Sequence, residues 1–122
     1  MGVSAGSDLT GDQNIAIGRF SGRYFEGLYN TAMGHFAGQA IRAGNYNTMA
    51  GFSAGGDMNQ GTSNSFFGLE AGGGIDTGSF NTIMGTFAAY NTSGTMNSNT
   101  VIGSGAGNQL DGDFNTFLGT NA

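Results

Sequence analysis

The chain has 122 residues with 38% apolar content, no cysteine and no proline, and 3 Lys and Arg against 8 Asp and Glu, for a formal net charge of -5. So few cations exclude recognition of nucleic acid through clustered Lys and Arg, and the missing cysteine excludes disulfides and thiol nucleophiles. No apolar run approaches the roughly 20 residues of a membrane-spanning helix, no basic start leads into a secretory signal, and the apolar content is thin for a conventional core of one 122-residue domain.

The chain opens in the middle of a repeating unit. Met1 falls on an apolar column, Gly2-Val3-Ser4-Ala5-Gly6 matches the glycine-rich half of later units, and Leu9 takes an apolar place that recurs halfway round each one. The full units begin at Asn14, Asn30, Asn47, Asn64, Asn81, Asn99 and Asn115, spaced 16, 17, 17, 17, 18 and 16 residues apart and each followed four residues later by glycine. Such a spread marks an internal repeat, one solenoid coil per unit. Within each unit, stretches such as Tyr46-Asn47-Thr48-Met49-Ala50 and Phe80-Asn81-Thr82-Ile83-Met84 read as five-residue strands, rich in aromatic, threonine and apolar side chains. The halfway apolar place holds Phe25, Ile41, Met58, Ile75 and Leu110 in turn. The unit from Ala89 to Asn99 departs from this rule, because Thr92 takes the apolar place and the spacing grows to 18, which predicts a bulged coil. The chain stops in mid-coil at Gly119-Thr120-Asn121-Ala122, so it reads either as part of a longer fibre or as a subunit that stacks head to tail.

Eighteen of the 25 glycines fall in three fixed columns, which argues for corners rather than a flexible linker. Glycine in every window of ten residues excludes helix throughout. The resulting expectation is an all-β, parallel β-solenoid of about seven coils with a repeat of about 17 residues, filling a single domain from 1 to 122.

Two adjacent apolar columns follow each asparagine and its neighbour. Successive strand side chains point to opposite faces, so one of the two must face outward. The outward stripe holds either Ile17, Met33, Phe67, Met84, Ile102 and Leu118, or Ala16, Met49, Phe66, Ile83, Val101 and Phe117. A continuous apolar stripe predicts a partner, most simply other copies of the chain around a shared axis.

Segments such as Asn30-Thr31-Ala32-Met33-Gly34-His35-Phe36-Ala37-Gly38 and Asn99-Thr100-Val101-Ile102-Gly103-Ser104-Gly105-Ala106-Gly107 resemble the repeats in the head domains of trimeric autotransporter adhesins, and similar Asn-Thr-x-x-Gly repeats in phage tail-fibre shafts. The resemblance covers essentially the whole chain. It implies a left-handed parallel β-roll, three chains side by side, and attachment to surfaces from a bacterial cell or a virion. Host-surface glycans or proteins are the receptors it implies, with no membrane insertion. Adhesin-head coils are shorter than these, so coil cross-section and trimer register are expected to differ.

The asparagine column is expected to act structurally, its amides bonding along the axis as a ladder. The hydroxyl column, Thr31, Thr48, Ser65, Thr82, Thr100 and Thr116, admits an alternative reading as an ice-binding rank. A second alternative is a self-assembling extracellular filament subunit stacking head to tail. Tyr29, Tyr46, Phe80 and Phe114 precede their asparagines and could pack between coils or, if exposed, stack on sugars. Asp111-Gly112-Asp113-Phe114-Asn115 opens like a calcium loop but lacks its later glycine and glutamate, and reads as a turn. His35 is the only histidine, and Glu26, Asp57, Glu70 and Asp76 are too scattered for a paired-carboxylate site. No enzyme, cofactor or metal is expected.

Overall fold

In the computed structural model, residues 2–122 are described, and Met1 with its expected apolar place lies outside the described residues. Among the described residues nine strands of three residues form: β1 Ile15–Ile17, β2 Thr31–Met33, β3 Thr48–Ala50, β4 Ser65–Phe67, β5 Thr77–Ser79, β6 Thr82–Met84, β7 Thr95–Asn97, β8 Thr100–Ile102 and β9 Thr116–Leu118. Seven of them stack as one parallel sheet in the order β1-β2-β3-β4-β6-β8-β9, and β5 pairs with β7 on another side. The chain is an all-β parallel solenoid of about six turns with a repeat of about 17 residues and no helix among the described residues.

Register follows the repeat. Thr31 pairs with Thr48, Ala32 with Met49 and Met33 with Ala50, and the same columns pair in every later step of the large sheet.

The strands are shorter than the five residues expected. Tyr46 and Phe80 are not in them, because the residue before each asparagine sits in the left-handed region, with φ of 58° at Tyr46 and 62° at Phe80. That conformation turns the chain sharply enough to aim the next side chain, the asparagine, into the coil. A second left-handed residue lies two places after the corner glycine, as at Phe36 (φ 60°) and Phe87 (φ 55°), so corners are not reserved for glycine.

Glycine is required for two separate reasons. Gly51 has φ of 140°, which side chains rarely tolerate. Gly44 has an ordinary backbone, but a Cβ there would collide with the carbonyl oxygen of Gly61 in the next coil. At Gly11, Gly27, Gly44 and Gly61 this column therefore serves close stacking and not turning, whereas Gly78 and Gly112 stand at φ 152° and 112°.

The core is a narrow column. Ala32, Met49, Phe66, Ile83 and Val101 point inward from the large sheet and are fully buried, facing Phe25, Ile41, Met58 and Ile75 from the halfway place. The small column, Ala37, Ala54, Ala71, Ala88 and Ala106, closes the core behind them. Of the two candidate columns the outward one is Ile17, Met33, Phe67, Met84, Ile102 and Leu118, all exposed.

Coil length varies on the side away from the large sheet. Each 17-residue coil has a bridging residue there, so Ala43 pairs with Gln60 and Gln60 with Thr77. The 16-residue coils, at residues 14–30 and 99–115, lack it. In the 18-residue coil Thr95 pairs with Thr77 and the Gly94 carbonyl accepts from Thr77 N at 3.5 Å, so the extra residue is the exposed Ser93, beside Gly94 at φ 103°. The halfway place there holds Thr92, whose Oγ1 donates to the Ala89 carbonyl at 3.1 Å. Met96 compensates by standing where other coils have glycine and burying its side chain in the core.

Candidate functional surface

The outward face of the large sheet is the principal exposed feature. Each strand places its first and third residues outward, which makes two parallel ranks. One is Ile15 followed by Thr31, Thr48, Ser65, Thr82, Thr100 and Thr116; the other is Ile17, Met33, Ala50, Phe67, Met84, Ile102 and Leu118. Phe52, Leu69 and Phe87 continue the apolar surface round the glycine corner, all exposed. Contiguous apolar surface of this extent is rare on a monomer.

The asparagine column lies behind this face. Asn47 Oδ1 accepts from the backbone N–H and the Nδ2 of Asn64, at 3.0 Å each. Asn47 Nδ2 donates to Asn30 Oδ1 at 3.0 Å and to the Gly61 carbonyl at 2.7 Å. The same four bonds recur at Asn64 and Asn81, with Met96 replacing glycine as the carbonyl partner of Asn81. Asn99 accepts from Asn115 in turn, and Asn14 accepts from the Asn30 backbone at 2.7 Å. Every amide from Asn30 to Asn99 is buried with both of its ends used, so the column leaves no amide free to hold a ligand.

A second polar column, not recognised in the sequence, stands two residues before the asparagines. Asn45 Oδ1 accepts from Leu28 N, Ser79 Oγ from Thr62 N, Asn97 Oδ1 from Ser79 N and Asp113 Oδ1 from Asn97 N. Its signal was available: Asn45, Thr62, Ser79, Asn97 and Asp113 all carry a short polar side chain at the same place in the unit. Asp113 is therefore used as a rung, also accepting from Asn97 Nδ2 at 3.1 Å. No group of three His, Cys, Asp or Glu that could hold a metal occurs among the described residues.

The aromatic column is split. Tyr29 and Tyr46 stack with ring centroids 5.0 Å apart and planes within 4°, while Phe80 and Phe114 stand exposed at 65% and 82%. His35 stacks on Phe36 at 4.0 Å and meets Phe52 edge-on at 5.3 Å, and its Nε2 has no hydrogen-bond partner. Arg19 and Arg23 lie over the Phe20 ring at 4.8 and 5.6 Å. His35 thus belongs to an aromatic and cationic cluster.

A shallow depression opens beside the bulged coil, lined by Asp57, Gly73, Gly74, Tyr90, Asn91 and Thr92. The Glu70 carboxylate, first as hydrogen-bond acceptor for the Tyr90 phenol and then through its charge, raises the Tyr90 pKa above its ordinary value.

No protein family, curated protein sequence or solved structure matches the chain.

Proposed function

We propose that the chain is a rigid structural and adhesive module, the shaft or head of an extracellular fibre on a virion tail or bacterial surface, in which three copies pack around a common axis. The observation that carries this reading is the exposed apolar rank from Ile17 to Leu118, in register along the whole large sheet. Exposed strand side chains of this kind are covered in assemblies, and a parallel homo-oligomer covers the same rank on every copy at once. The Asn-Thr-x-x-Gly repeats favour three copies. No catalytic chemistry, cofactor or metal is assigned, and host-surface glycan or protein is the partner class.

The native mass in solution tests this. A trimer is expected, and Phe67→Lys with Met84→Lys is expected to dissociate it while leaving the β-sheet spectrum unchanged. A chain that remains monomeric at every concentration overturns the reading, and a mass that grows with concentration replaces it with a head-to-tail filament.

The hydroxyl rank favours a second reading. Thr31, Thr48, Ser65, Thr82, Thr100 and Thr116 stand in register on the outward face, beside the apolar rank, the mixture of methyl and hydroxyl that an ice-binding surface needs. Thermal hysteresis of the purified protein, lost on bulky substitution of Thr82 and Thr100, would support it. No activity at millimolar protein would sink it.

A further inference from the structure

The corner between the large sheet and the second polar column carries Tyr46, Phe80 and Phe114 in one column of the repeat, two coils apart, with Ser63 and Ser98 in the coils between. These residues are 59%, 65% and 82% exposed, so they contribute little to the core. All three sit at φ between 58° and 62°. A bulky side chain gains nothing from that backbone conformation, which favours Gly, Asn or Asp. The stack on Tyr29 accounts for Tyr46; neither folding nor local geometry accounts for Phe80 and Phe114, exposed two coils apart.

We propose that this corner binds one neutral, extended β-1,4-linked polysaccharide chain, of the cellulose or chitin class, running parallel to the solenoid axis. This names a ligand for the adhesive part of the function proposed above and rests on that part, but not on the trimer. Three properties select the ligand. Coils repeat at about 4.8 Å, so rings at alternate coils are spaced by about 10 Å. In an extended β-1,4-linked chain alternate sugars turn the same apolar face the same way, and this disaccharide repeat has about that length, so Phe80 and Phe114 meet equivalent sugar faces.

Room for the rings comes from the serines. Tyr29 and Tyr46, in adjacent coils, stack on each other, whereas Phe80 has only Ser63 and Ser98 beside it in its column and has space to turn its face outward. Finally, the flanking groove is uncharged. It measures about 280 Å³ and is lined by Gln60, Thr62, Thr77, Ser79 and Asn97, amides and hydroxyls that suit sugar hydroxyls and offer nothing to a sulfated or carboxylated chain.

The test uses the full chain and its partition onto microcrystalline cellulose and β-chitin, with starch, a curved α-1,4-linked glucan, as the comparison. Depletion from solution by cellulose or chitin, and not by starch, is expected. Phe80→Ala and Phe114→Ala are each expected to weaken retention roughly tenfold, the loss of one stacked ring. Ser63→Tyr, which fills the gap between Tyr46 and Phe80, is expected to weaken it too by turning the ring edges outward. An unchanged β-sheet spectrum and melting temperature in each variant separates lost binding from lost folding. No retention on either β-linked polymer, equal retention on starch, or retention indifferent to these three substitutions overturns the proposal. A trimer that does not bind overturns this proposal alone; a monomer that binds overturns the trimeric fibre and leaves this one standing.

Discussion

On the side formed by β1–β4, β6, β8 and β9, every coil contributes the same three positions in the same register. On the side formed by β5 and β7, coils of 16, 17 and 18 residues coexist, and only those of 17 and 18 residues pair. Both sides carry a polar column bonded from coil to coil, so hydrogen bonding alone does not explain the difference. Burial does. Asn47, Asn64 and Asn81 have almost no exposure and their bonds have no water to replace them, whereas Asn97 is only half-buried and Asp113 is exposed, so water reaches their bonds. A one-residue slip on the first side would exchange core and solvent faces; on the second it only lengthens a loop.

The largest expected effect comes from moving the same small change between the two sides. Deleting Ile83 from β6 is expected to abolish cooperative folding, because it breaks the inward–outward order of that strand. Deleting Ser93, exposed at the bulge, is expected to change stability by less than about 1 kcal/mol. Urea unfolding followed by circular dichroism measures both, and comparable losses would collapse the distinction. Next in size, Asn64→Ala strands the Gly78 carbonyl and the Asn81 amide in the core and is expected to cost about 3 to 5 kcal/mol. Asn97→Ala, at the equivalent task on the exposed side, is expected to cost less than about 1 kcal/mol in the same assay.

Within the bulged coil, Ala89 holds φ of 49° where Gly55 and Gly72 stand in neighbouring units. Ala89→Gly is expected to stabilise the protein by about 1 kcal/mol, read as a raised melting temperature, and a loss would mean that the methyl packing outweighs the strain. The smallest effect is that of pH at the same coil. Because the folded pKa of Tyr90 is raised by Glu70, its contribution to stability is complete below the unfolded value near 10. It fades as pH rises through the folded value. Glu70→Gln is expected to move the tyrosinate absorbance transition of Tyr90 downward, and an unchanged transition would remove Glu70 as its cause.

Much of the architecture was legible because the repeat is strict. Asparagine-to-glycine spacing located all seven strands of the large sheet, and the strand alternation rule required one apolar column to face outward. It did not say which, because Ile17 and Ala16 are both apolar, and only the left-handed residue before each asparagine fixes the phase. That residue was invisible in sequence: Tyr46 and Phe80 are strand formers by composition, and nothing local marks them as corners. Gly44 was legible as special and misread as a bend, since close approach of a neighbouring coil leaves the same signature as a turn. Met96 broke a column, yet its role became clear only beside Thr92, whose missing core volume it replaces. The second polar column went unrecognised because its members differ, Asn45, Thr62, Ser79, Asn97 and Asp113 sharing only a short side chain that can accept a hydrogen bond.

The buried amide column also bears on mechanics. Its bonds, like those of the strands, run along the solenoid axis, so a pull on the two ends loads every rung directly. Because each coil touches only its neighbours, the weakest junction opens first and the remainder stays intact. A coil of 17 residues that peels away exchanges an axial rise of about 4.8 Å for an extended length of roughly 55 Å. The asparagines would thus make the module an extensible tether that lengthens one coil at a time. Single-molecule stretching should show it as a train of nearly equal steps, and a single all-at-once rupture would contradict it.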